Sequence, residues 1–421
     1  MTSLLLLHNM KSKERYTLFF IVIVVSIDTA GFGIIFPVLP QLLTDLLHTD
    51  ISTAAQYGGW LSFCYALMQF VFAPILGNLS DAYGRRPVLL SSLLGFGIDC
   101  IFLAFAPDIL WLFLGRTIAG ITGASFSVAS ACVADISTGK DRTKFFGLIN
   151  AAFGAGFILG PAIGGVLAKW GTHAPFLFAA TLSLINFIFG YFFFTESLEK
   201  EKRRKFDWRK ANPFGALVHL QKLPAVWSLV IAMLFVSMAT HSMESVWSFF
   251  TIEKFHWDNS MVGYSLAFIG ALSIIVQLWG VAFLTDRIGE RRMLIGGLCC
   301  LIFGFFIFAF SSVEWLLFVG IIVFIIGGVQ GAAMQSIISL SVPDNEQGVL
   351  QGALGCLLGF TTFVAPPIMT SSFSCFTKEG AGFYFPGVPF LIAAVFGVIG
   401  LVLCYFSISR LSTKTRSERS K

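Results

Sequence analysis

Long apolar runs, each followed by a short polar turn, recur along the whole chain. A helix of roughly 20 apolar residues crosses a bilayer core about 30 Å thick, so each run of that length predicts one crossing. We call the predicted crossings spans 1 to 12, and together they predict an all-α integral membrane protein. They cover, in order, residues 16–41, 57–77, 88–106, 110–134, 145–168, 175–195, 225–251, 260–284, 292–311, 314–341, 348–372 and 386–408.

Composition supports the same class of protein. Hydrophobic residues make up 56% and charged residues 12% of the 421 positions, a balance that an ordinary soluble domain does not have. The sequence contains neither a phosphate-binding GxxxxGK[ST] loop nor a metal-ligand spacing of Cys and His, so we expect no ATP, cofactor or metal. No nucleophile and base stand out as a set, which favours a transporter over an enzyme.

The distribution of basic residues predicts the orientation, because Lys and Arg concentrate in cytoplasmic loops. If both termini are cytoplasmic, only Lys169, Lys254 and Lys378 of the 28 Lys and Arg residues lie in outside loops. Arg116 lies within span 4, and all the others are inside. The net charge of +5 therefore indicates topology rather than nucleic-acid binding. We expect a multi-pass protein of the bacterial cytoplasmic (inner) membrane.

The longest polar stretch, from Thr195 to Pro224, separates six spans from six. We expect residues 1–195 to form an N-terminal half and 196–224 a cytoplasmic linker, with a short amphipathic helix after Asn212-Pro213. Residues 225–421 then form a C-terminal half with a short cytoplasmic tail. The chain is thus predicted to consist of two pseudo-symmetric six-helix halves.

One short polar motif occurs at equivalent places in the two halves. The pattern Asp-x-x-Gly-x-Arg begins at Asp81 after span 2 and at Asp286 after span 8, and it ends at Arg86 and Arg291. Internal repeats of this kind build transporters in which a site near the membrane midplane opens alternately to the two sides. We expect both copies to act in the conformational switch.

The first copy lies in the segment GNLSDAYGRRPVLL, residues 77–90. Gly77 and Gly84 are expected to provide tight backbone geometry. Asp81, Arg85 and Arg86 can make charge-assisted contacts with neighbouring helix ends, and such contacts would hold one conformation. The alternative is that the two arginines only anchor the cytoplasmic end of the helices.

Segment 77–90 resembles the loop 2–3 motif of the major facilitator superfamily, G-x-L-x-D-R-x-G-R-R/K, with Ala82 in place of the usual Arg. Three further segments resemble motifs of its drug:proton antiporters: IDTAGFGIIFPVLP (27–40), LGRTIAGITGA (114–124) and GAGFILGPAIGG (154–165). FHWDNSMVGYSLA (255–267) and EQGVLQG (346–352) extend the resemblance into the second half. Together they are most similar to the tetracycline-efflux branch, over nearly the whole chain.

Ionisable residues within membrane spans are energetically costly and usually functional. Asp28 is followed by glycines and prolines that let span 1 bend toward a cavity, which makes it the first candidate for proton coupling. Its alternative role is a hydrogen-bond acceptor between helices. Arg116 needs an acidic partner, either Asp28 or Asp99. The resemblance implies that Arg116 takes part in proton transfer, and the alternative is that it ties helices together.

The span 5 motif is rich in small residues. We expect it to bend span 5 and to pack it closely on a neighbour, as the antiporter resemblance implies. Generic small-residue packing is the alternative. The motif residues are Gly156, Gly160, Pro161, Gly164 and Gly165.

The second half departs from the tetracycline-efflux pattern. Ser273 stands where a histidine is typical in span 8, and Leu301 stands where an aspartate is typical in span 9, whereas Gln277 is retained. Because both ionisable groups are replaced, we expect tetracycline resistance to be weak or absent.

Span 7 carries a different ionisable pair. His241 and Glu244 are three residues apart and so share one helix face, and histidine titrates near physiological pH. The pair either replaces the missing groups or recognises a different substrate, unless it is only structural. Trp247 is a candidate aromatic wall for a cationic compound, or a core residue. The predicted substrate-binding residues are His241, Glu244, Trp247, Gln277 and Gln69.

These features favour a proton-coupled antiporter that exports an amphipathic small molecule or drug by alternating access, and so contributes to antibiotic resistance. A proton-linked transporter of a metabolite, nutrient or siderophore is the alternative. A non-transporting receptor on the same fold is a third possibility. The expected partners are a small-molecule substrate, protons and the lipid bilayer, and we expect a functional monomer.

Overall fold

The computed structural model describes residues 12–137, 139–206, 224–342 and 347–419. Within these residues every regular element is a helix. In the first half the helices are Ser12–Leu47, Ile51–Tyr83, Arg85–Phe105, Ile109–Thr122, Ser125–Ile136, Gly139–Leu167 and Ala174–Phe193. In the second half they are Pro224–Phe255, Asn259–Ile275, Val276–Gly280 (a π-helical turn), Val281–Phe310, Glu314–Gly327, Val329–Leu340, Gln347–Thr377 and Val388–Arg419. The amphipathic helix expected after Asn212-Pro213 lies outside the described residues.

These helices confirm the predicted twelve spans. Eleven described stretches are long and apolar enough to cross a membrane, and one of them, Asn259–Phe310, has 52 residues. That stretch holds spans 8 and 9. The two spans are separated at Gly289, where the backbone is non-helical, with φ 75° and ψ 161°. Gly84 has a φ of 111° between spans 2 and 3. The repeated glycine is therefore the turn residue in both copies of the motif, at a φ that favours glycine.

The expectation for Gly77 is wrong. The second helix continues to Tyr83, several residues beyond the apolar run, so Gly77 lies within regular helix. A Cβ atom at Gly77 would meet no atom within 4 Å. The tight geometry of this segment therefore depends on Gly84 alone. The prediction failed because polar residues at a membrane surface can continue a helix that an apolar pattern predicts to end.

Contacts between Cα atoms divide the chain into two compact units. The first contains Met1–Leu47, Leu67–Asn212 and Asp258–Ala267. The second contains His48–Ala66, Pro213–Trp257 and Phe268–Lys421. Each unit thus includes one short segment from the other half of the sequence, and these two segments are the first parts of spans 2 and 8.

The same tight turn, a His-x-Asp corner, lies at the start of spans 2 and 8. His48 and His256 are the non-glycine residues with positive φ in the described chain, at 50° and 55°. Two residues later, Asp50 accepts a hydrogen bond from the backbone N–H of Thr53 (3.2 Å), and Asp258 accepts one from that of Met261 (2.9 Å). Each aspartate therefore caps the helix that follows. This His-x-Asp repeat is a second internal repeat, which the sequence analysis did not identify.

Each corner also buries a serine two residues after the aspartate. In the second unit, Ser52 donates to the carbonyl of Ser374 in span 11 (2.9 Å). In the first unit, Ser260 donates to the carbonyl of Gly165 in span 5 (3.0 Å). A buried hydroxyl needs such a partner, because an unpaired polar group in a dry environment costs free energy. The two hydrogen bonds fix where spans 2 and 8 begin.

Candidate functional site

The carboxylate of Asp28 lies beside a break in span 4. The prediction of one helix over 110–134 is wrong at this point, because the chain is non-helical at Gly123 and Ala124. Ser125 begins the second half of the span, and its hydroxyl donates a hydrogen bond to Asp28. The N-terminus of a half-helix carries a partial positive charge, which favours a carboxylate. The break therefore provides Asp28 with a hydrogen-bond donor.

Gln69 supports the same break. Its side-chain amide donates to the carbonyl of Gly123 at 3.0 Å. A helix break exposes carbonyl groups that have no intrahelical partner, and within a membrane each must be satisfied by the protein. This contact gives Gln69 a structural role in span 2, alongside its predicted role in substrate binding.

Arg116 is paired with Asp99, one of its two candidate partners. The guanidinium Nε donates to Oδ1 of Asp99 at 3.0 Å, and Nη2 donates to Oδ2. Both residues are buried, with 6% and 0% of their surface exposed. Gly115 makes room for this pair, because a Cβ there would lie 2.8 Å from Oδ1 of Asp99. The structure thus joins Arg116 and Asp99 in one bidentate ion pair between spans 3 and 4.

The span 5 glycines lie against the backbone of span 1. A Cβ at Gly156 or Gly164 would lie 2.6 Å from the carbonyl oxygen of Ser26 or Ile34, and one at Gly160 would collide with the carbonyl of Ala30. Side chains at these positions would therefore separate the two helices. Close contact with the residues on either side of Asp28 fixes the height and rotation of that carboxylate.

The other two motif residues, Pro161 and Gly165, contact the start of span 8. A Cβ at Gly263 would collide with the carbonyl of Pro161, and one at Gly165 with the carbonyl of Asn259. Span 5 therefore packs closely on two helices of the first unit, as small-residue packing predicts.

The turn after span 2 is a network of charged groups. Arg85 pairs with Asp81 at 2.5 Å and with Asp135 at 3.1 Å, and it also donates to the hydroxyl of Ser80. The carboxylate of Glu196 accepts hydrogen bonds from the backbone N–H groups of Arg85 (2.8 Å) and Arg86. Because these N–H groups open span 3, Glu196 caps that helix and complements its dipole.

Two more contacts complete this network. Arg203 lies 3.9 Å from Glu196, and the backbone N–H of Arg204 donates to the carbonyl of Asp81 at 3.1 Å. Arg86 donates to the carbonyl of Tyr191 near the end of span 6. The end of span 2, the start of span 3, the ends of spans 4 and 6 and the segment that follows span 6 are therefore held together by charge-assisted hydrogen bonds.

The second copy of the motif is organised differently. Asp286 and Arg291 are exposed, and no ion pair joins them in the described part of the chain. Instead, Arg287 lies over the ring of Phe283 at 4.4 Å, and Glu290 accepts a hydrogen bond from Ser336 of span 10 at 2.6 Å. The repeat is thus closely similar in its glycine turn and different in its side-chain contacts.

The span 7 pair is formed. Nδ1 of His241 lies 3.0 Å from Oε2 of Glu244, and Nε2 lies 3.4 Å from the hydroxyl of Thr362 in span 11. The Glu244 side chain is 54% exposed and that of His241 is 19% exposed. Trp247 is only 1% exposed and packs on Phe308, so its position is that of a core residue.

The remaining predicted residues lie in spans 8 and 9. Gln277 is exposed and belongs to the π-helical turn Val276–Gly280, a type of irregularity that is frequent at functional sites. Ser273 donates to the carbonyl of Ile269 within its own helix. Leu301 is fully buried against Gly327 of span 10. A carboxylate at position 301 would therefore be buried.

Sequence reasoning did not identify four of these residues as contacts. Ser125 had a local signal, because Gly-Ala-Ser in the middle of an apolar run marks a possible helix break. Glu196, Thr362 and the pairing role of Asp135 had none, since their partners are far away in the sequence. These residues complete the three clusters that contain Asp28, Arg85 and His241.

A helical membrane protein of twelve spans, with ionisable residues buried between spans, is a membrane transporter by fold. The chain belongs to the Major Facilitator Superfamily, whose family model matches residues 21–282 and 245–421. The predicted resemblance is thereby confirmed. The protein is 40% identical to the class C tetracycline resistance protein of Escherichia coli, over 86% of this chain and 91% of that protein. It is 37% identical to the class G protein of Vibrio anguillarum, over 84% and 89%.

Solved structures agree on the fold. The human organic anion transporter MFSD10 (TETRAN) matches 94% of this chain and all of that chain, with a TM-score of 0.67 and 21% identity. A bacterial homologue of the human lysosomal transporter Spinster, in an inward-facing and occupied conformation, matches 95% of this chain and 97% of that chain. Its TM-score is 0.76 and its identity 16%. These likenesses support the architecture alone.

Proposed function

We propose that this protein is a proton-coupled antiporter that exports an amphipathic small molecule across the membrane. The observation that carries the proposal is the contact between Asp28 and Ser125 at the break in span 4. A carboxylate at a half-helix N-terminus is stabilised when ionised and can still take up a proton when its surroundings change. The names of the tetracycline resistance relatives support a drug as the exported compound.

The remaining residues receive roles in this scheme. Asp28 carries the exchanged proton, and the Asp99–Arg116 pair in spans 3 and 4 is a candidate relay. Span 5 holds Asp28 in place through Gly156, Gly160 and Gly164. His241 and Glu244 contribute to the substrate site, together with Gln277. The clusters around Arg85 and Arg291 act in the conformational switch.

We propose the domain organisation and the topology that the sequence predicts. The halves 1–195 and 225–421 are the two repeats, joined by the cytoplasmic linker 196–224. The protein functions as a monomer in a bacterial cytoplasmic membrane, with both termini inside. It performs transport without a chemical reaction and without ATP.

Transport in proteoliposomes tests this function. With an acidic lumen, a proton antiporter accumulates its substrate inside the vesicles, and a protonophore abolishes the accumulation. The panel includes ethidium, tetracycline and an iron–siderophore complex, and tetracycline is expected to accumulate weakly because of Ser273 and Leu301. Accumulation only with an alkaline lumen would indicate a proton symporter, and binding without flux would indicate a receptor.

Accessibility of the linker tests the topology. We introduce Lys205→Cys into a background from which the eight native cysteines have been removed. A membrane-impermeant maleimide should label this cysteine in broken cells and leave it unlabelled in intact cells, because basic residues concentrate on the cytoplasmic side. Thr172→Cys in an outside loop is the matched control and should be labelled in both. Labelling at position 205 in intact cells would reverse the orientation.

Removal of Arg85 tests the switch. Arg85→Ala breaks the contacts with Asp81 and Asp135 and should slow substrate exchange by about tenfold or more, since losing one charge-assisted hydrogen-bond partner costs roughly 1.5–3 kcal/mol. Substrate affinity at equilibrium should change by no more than a few-fold. Exchange rate and binding are measured on the same preparation, with Arg142→Ala, an exposed arginine between spans 4 and 5 and in neither switch cluster, as the control. A large loss of affinity at a normal rate would place Arg85 in binding instead.

A further inference from the structure

The hydrogen-bond partners of His241 define its protonation state. Thr362 donates its hydroxyl proton to the carbonyl of Leu358 at 2.9 Å. That acceptor is closer than Nε2 of His241, which lies 3.4 Å from the same hydroxyl oxygen. The oxygen of Thr362 is then left to accept from the ring, an arrangement that favours a proton on Nε2.

The other ring nitrogen faces an acceptor as well. Nδ1 lies 3.0 Å from the carboxylate of Glu244, and an ionised carboxylate only accepts hydrogen bonds. Acceptors on both sides favour an imidazole with a proton on both nitrogens. The arrangement is therefore that of an imidazolium paired with a carboxylate, and it contains one proton more than a neutral histidine beside the same carboxylate.

The helices around this pair provide no competing charge. Span 7 packs on spans 10, 11 and 12. In these helices, residues 329–340, 347–377 and 388–407 contain no Asp, Glu, His, Lys or Arg. Their titratable side chains are Cys356, Cys375, Cys404 and Tyr405. Within span 7, Glu253 and Lys254 lie more than two helical turns beyond Glu244. Within spans 7, 10, 11 and 12, Glu244 is thus the carboxylate that can balance the charge of His241.

We propose that His241, Glu244 and Thr362 form a second proton site, at which a positively charged group of the substrate displaces the proton. The inference rests on the proposed function and assigns the substrate class, an organic cation. Glu244 is the exposed partner and can receive the cation. His241 then releases one proton to water and becomes neutral. The site is neutral before the exchange and neutral after it, so a cation enters without adding charge to the membrane interior.

This exchange predicts how the two ligands compete. Where His241 holds its extra proton, each rise of one pH unit should strengthen the binding of a cation about tenfold, because one proton leaves for each cation bound. A neutral compound should bind with an affinity that does not follow this proton. Without Glu244 the pH dependence should disappear.

Binding measurements on the purified full-length protein test the exchange. The background is Asp28→Asn, which removes the first proton site and leaves the second to be observed alone. Ethidium and tetraphenylphosphonium are the cationic probes, and N-phenyl-1-naphthylamine is the neutral one. We expect about tenfold tighter cation binding per pH unit, lost in Glu244→Gln and kept in Glu253→Gln, a carboxylate in the same helix. Cation binding that is absent or independent of pH would overturn the exchange.

A second measurement reads the proton directly. In protein labelled with ¹⁵N at its six histidines, His241 is assigned by comparison with His241→Gln. At about pH 7, where an unpaired imidazole is mostly neutral, both of its nitrogens should be protonated. Thr362→Val or Glu244→Gln should remove one of the two protons. A neutral His241 in the unaltered protein would refute the site, whereas the antiporter proposal fails only if wild-type protein shows no gradient-driven accumulation.

Discussion

Asp28→Asn should abolish substrate accumulation driven by a pH gradient and leave substrate exchange largely intact. Asparagine has nearly the same shape and keeps an oxygen that accepts the hydrogen bond from Ser125. It cannot ionise at any relevant pH, so the step in which a proton is taken up or released is lost. Because coupling requires that step in every cycle, accumulation should fall to the level without a gradient.

Paired assays on one proteoliposome preparation separate these effects. Accumulation with an acidic lumen reports coupling, and exchange of labelled for unlabelled substrate reports binding and alternation. Asp108→Asn is the matched control, because Asp108 lies between spans 3 and 4, where it caps the helix Ile109–Thr122, and asparagine caps equally well. It should accumulate substrate normally. Accumulation against a gradient by Asp28→Asn would move proton coupling to another residue.

The positions of the spans could be predicted because apolar length is a strong signal. The glycine turns at Gly84 and Gly289 were also predictable, since a repeated glycine in a polar turn marks a backbone that other residues rarely adopt. The break in span 4 was missed, although Gly-Ala-Ser is a possible break signal, because these small residues do not interrupt the hydrophobic run. The His-x-Asp corners were missed because a positive φ is uncommon for any residue other than glycine.

The candidate site was predictable at the level of single residues and not of partners. Charge at membrane depth singled out Asp28, Arg116 and Glu244, because such groups are rare in spans. Their contacts depend on how distant segments pack. Ser125 is 97 residues from Asp28, and Thr362 is 121 residues from His241. No local pattern connects residues so far apart.

The contrast between positions 301 and 244 has a packing explanation. Gly327 of span 10 approaches the backbone of Leu301 so closely that its own Cβ would lie 2.6 Å from the Leu301 nitrogen. Leu301 is fully buried, and a charged side chain in a dry environment is costly unless it is paired. Glu244 is half-exposed and has a histidine within hydrogen-bond distance. The second half thus carries its ionisable pair, His241 and Glu244, at a position where each group has a hydrogen-bond partner.

Asp99→Leu should destabilise the protein by about 3–5 kcal/mol, because it leaves the buried guanidinium of Arg116 without its carboxylate. Arg116→Met should cost less, since the carboxyl group that remains can take a proton and become neutral, whereas a guanidinium stays charged. The Arg116→Met variant should therefore regain stability as the pH falls, and Asp99→Leu should not. Thermal unfolding in detergent, followed with a thiol-reactive dye, measures both.

The double variant Asp99→Leu, Arg116→Met decides what the pair does. Replacing both members of a buried ion pair by apolar residues of similar size is often neutral or stabilising, so most of the lost stability should return. A proton relay needs the charges themselves, so the folded double variant should bind and exchange substrate but accumulate little of it. If it accumulates substrate as well as the unaltered protein does, the pair only joins spans 3 and 4, and Asp28 carries the proton without it.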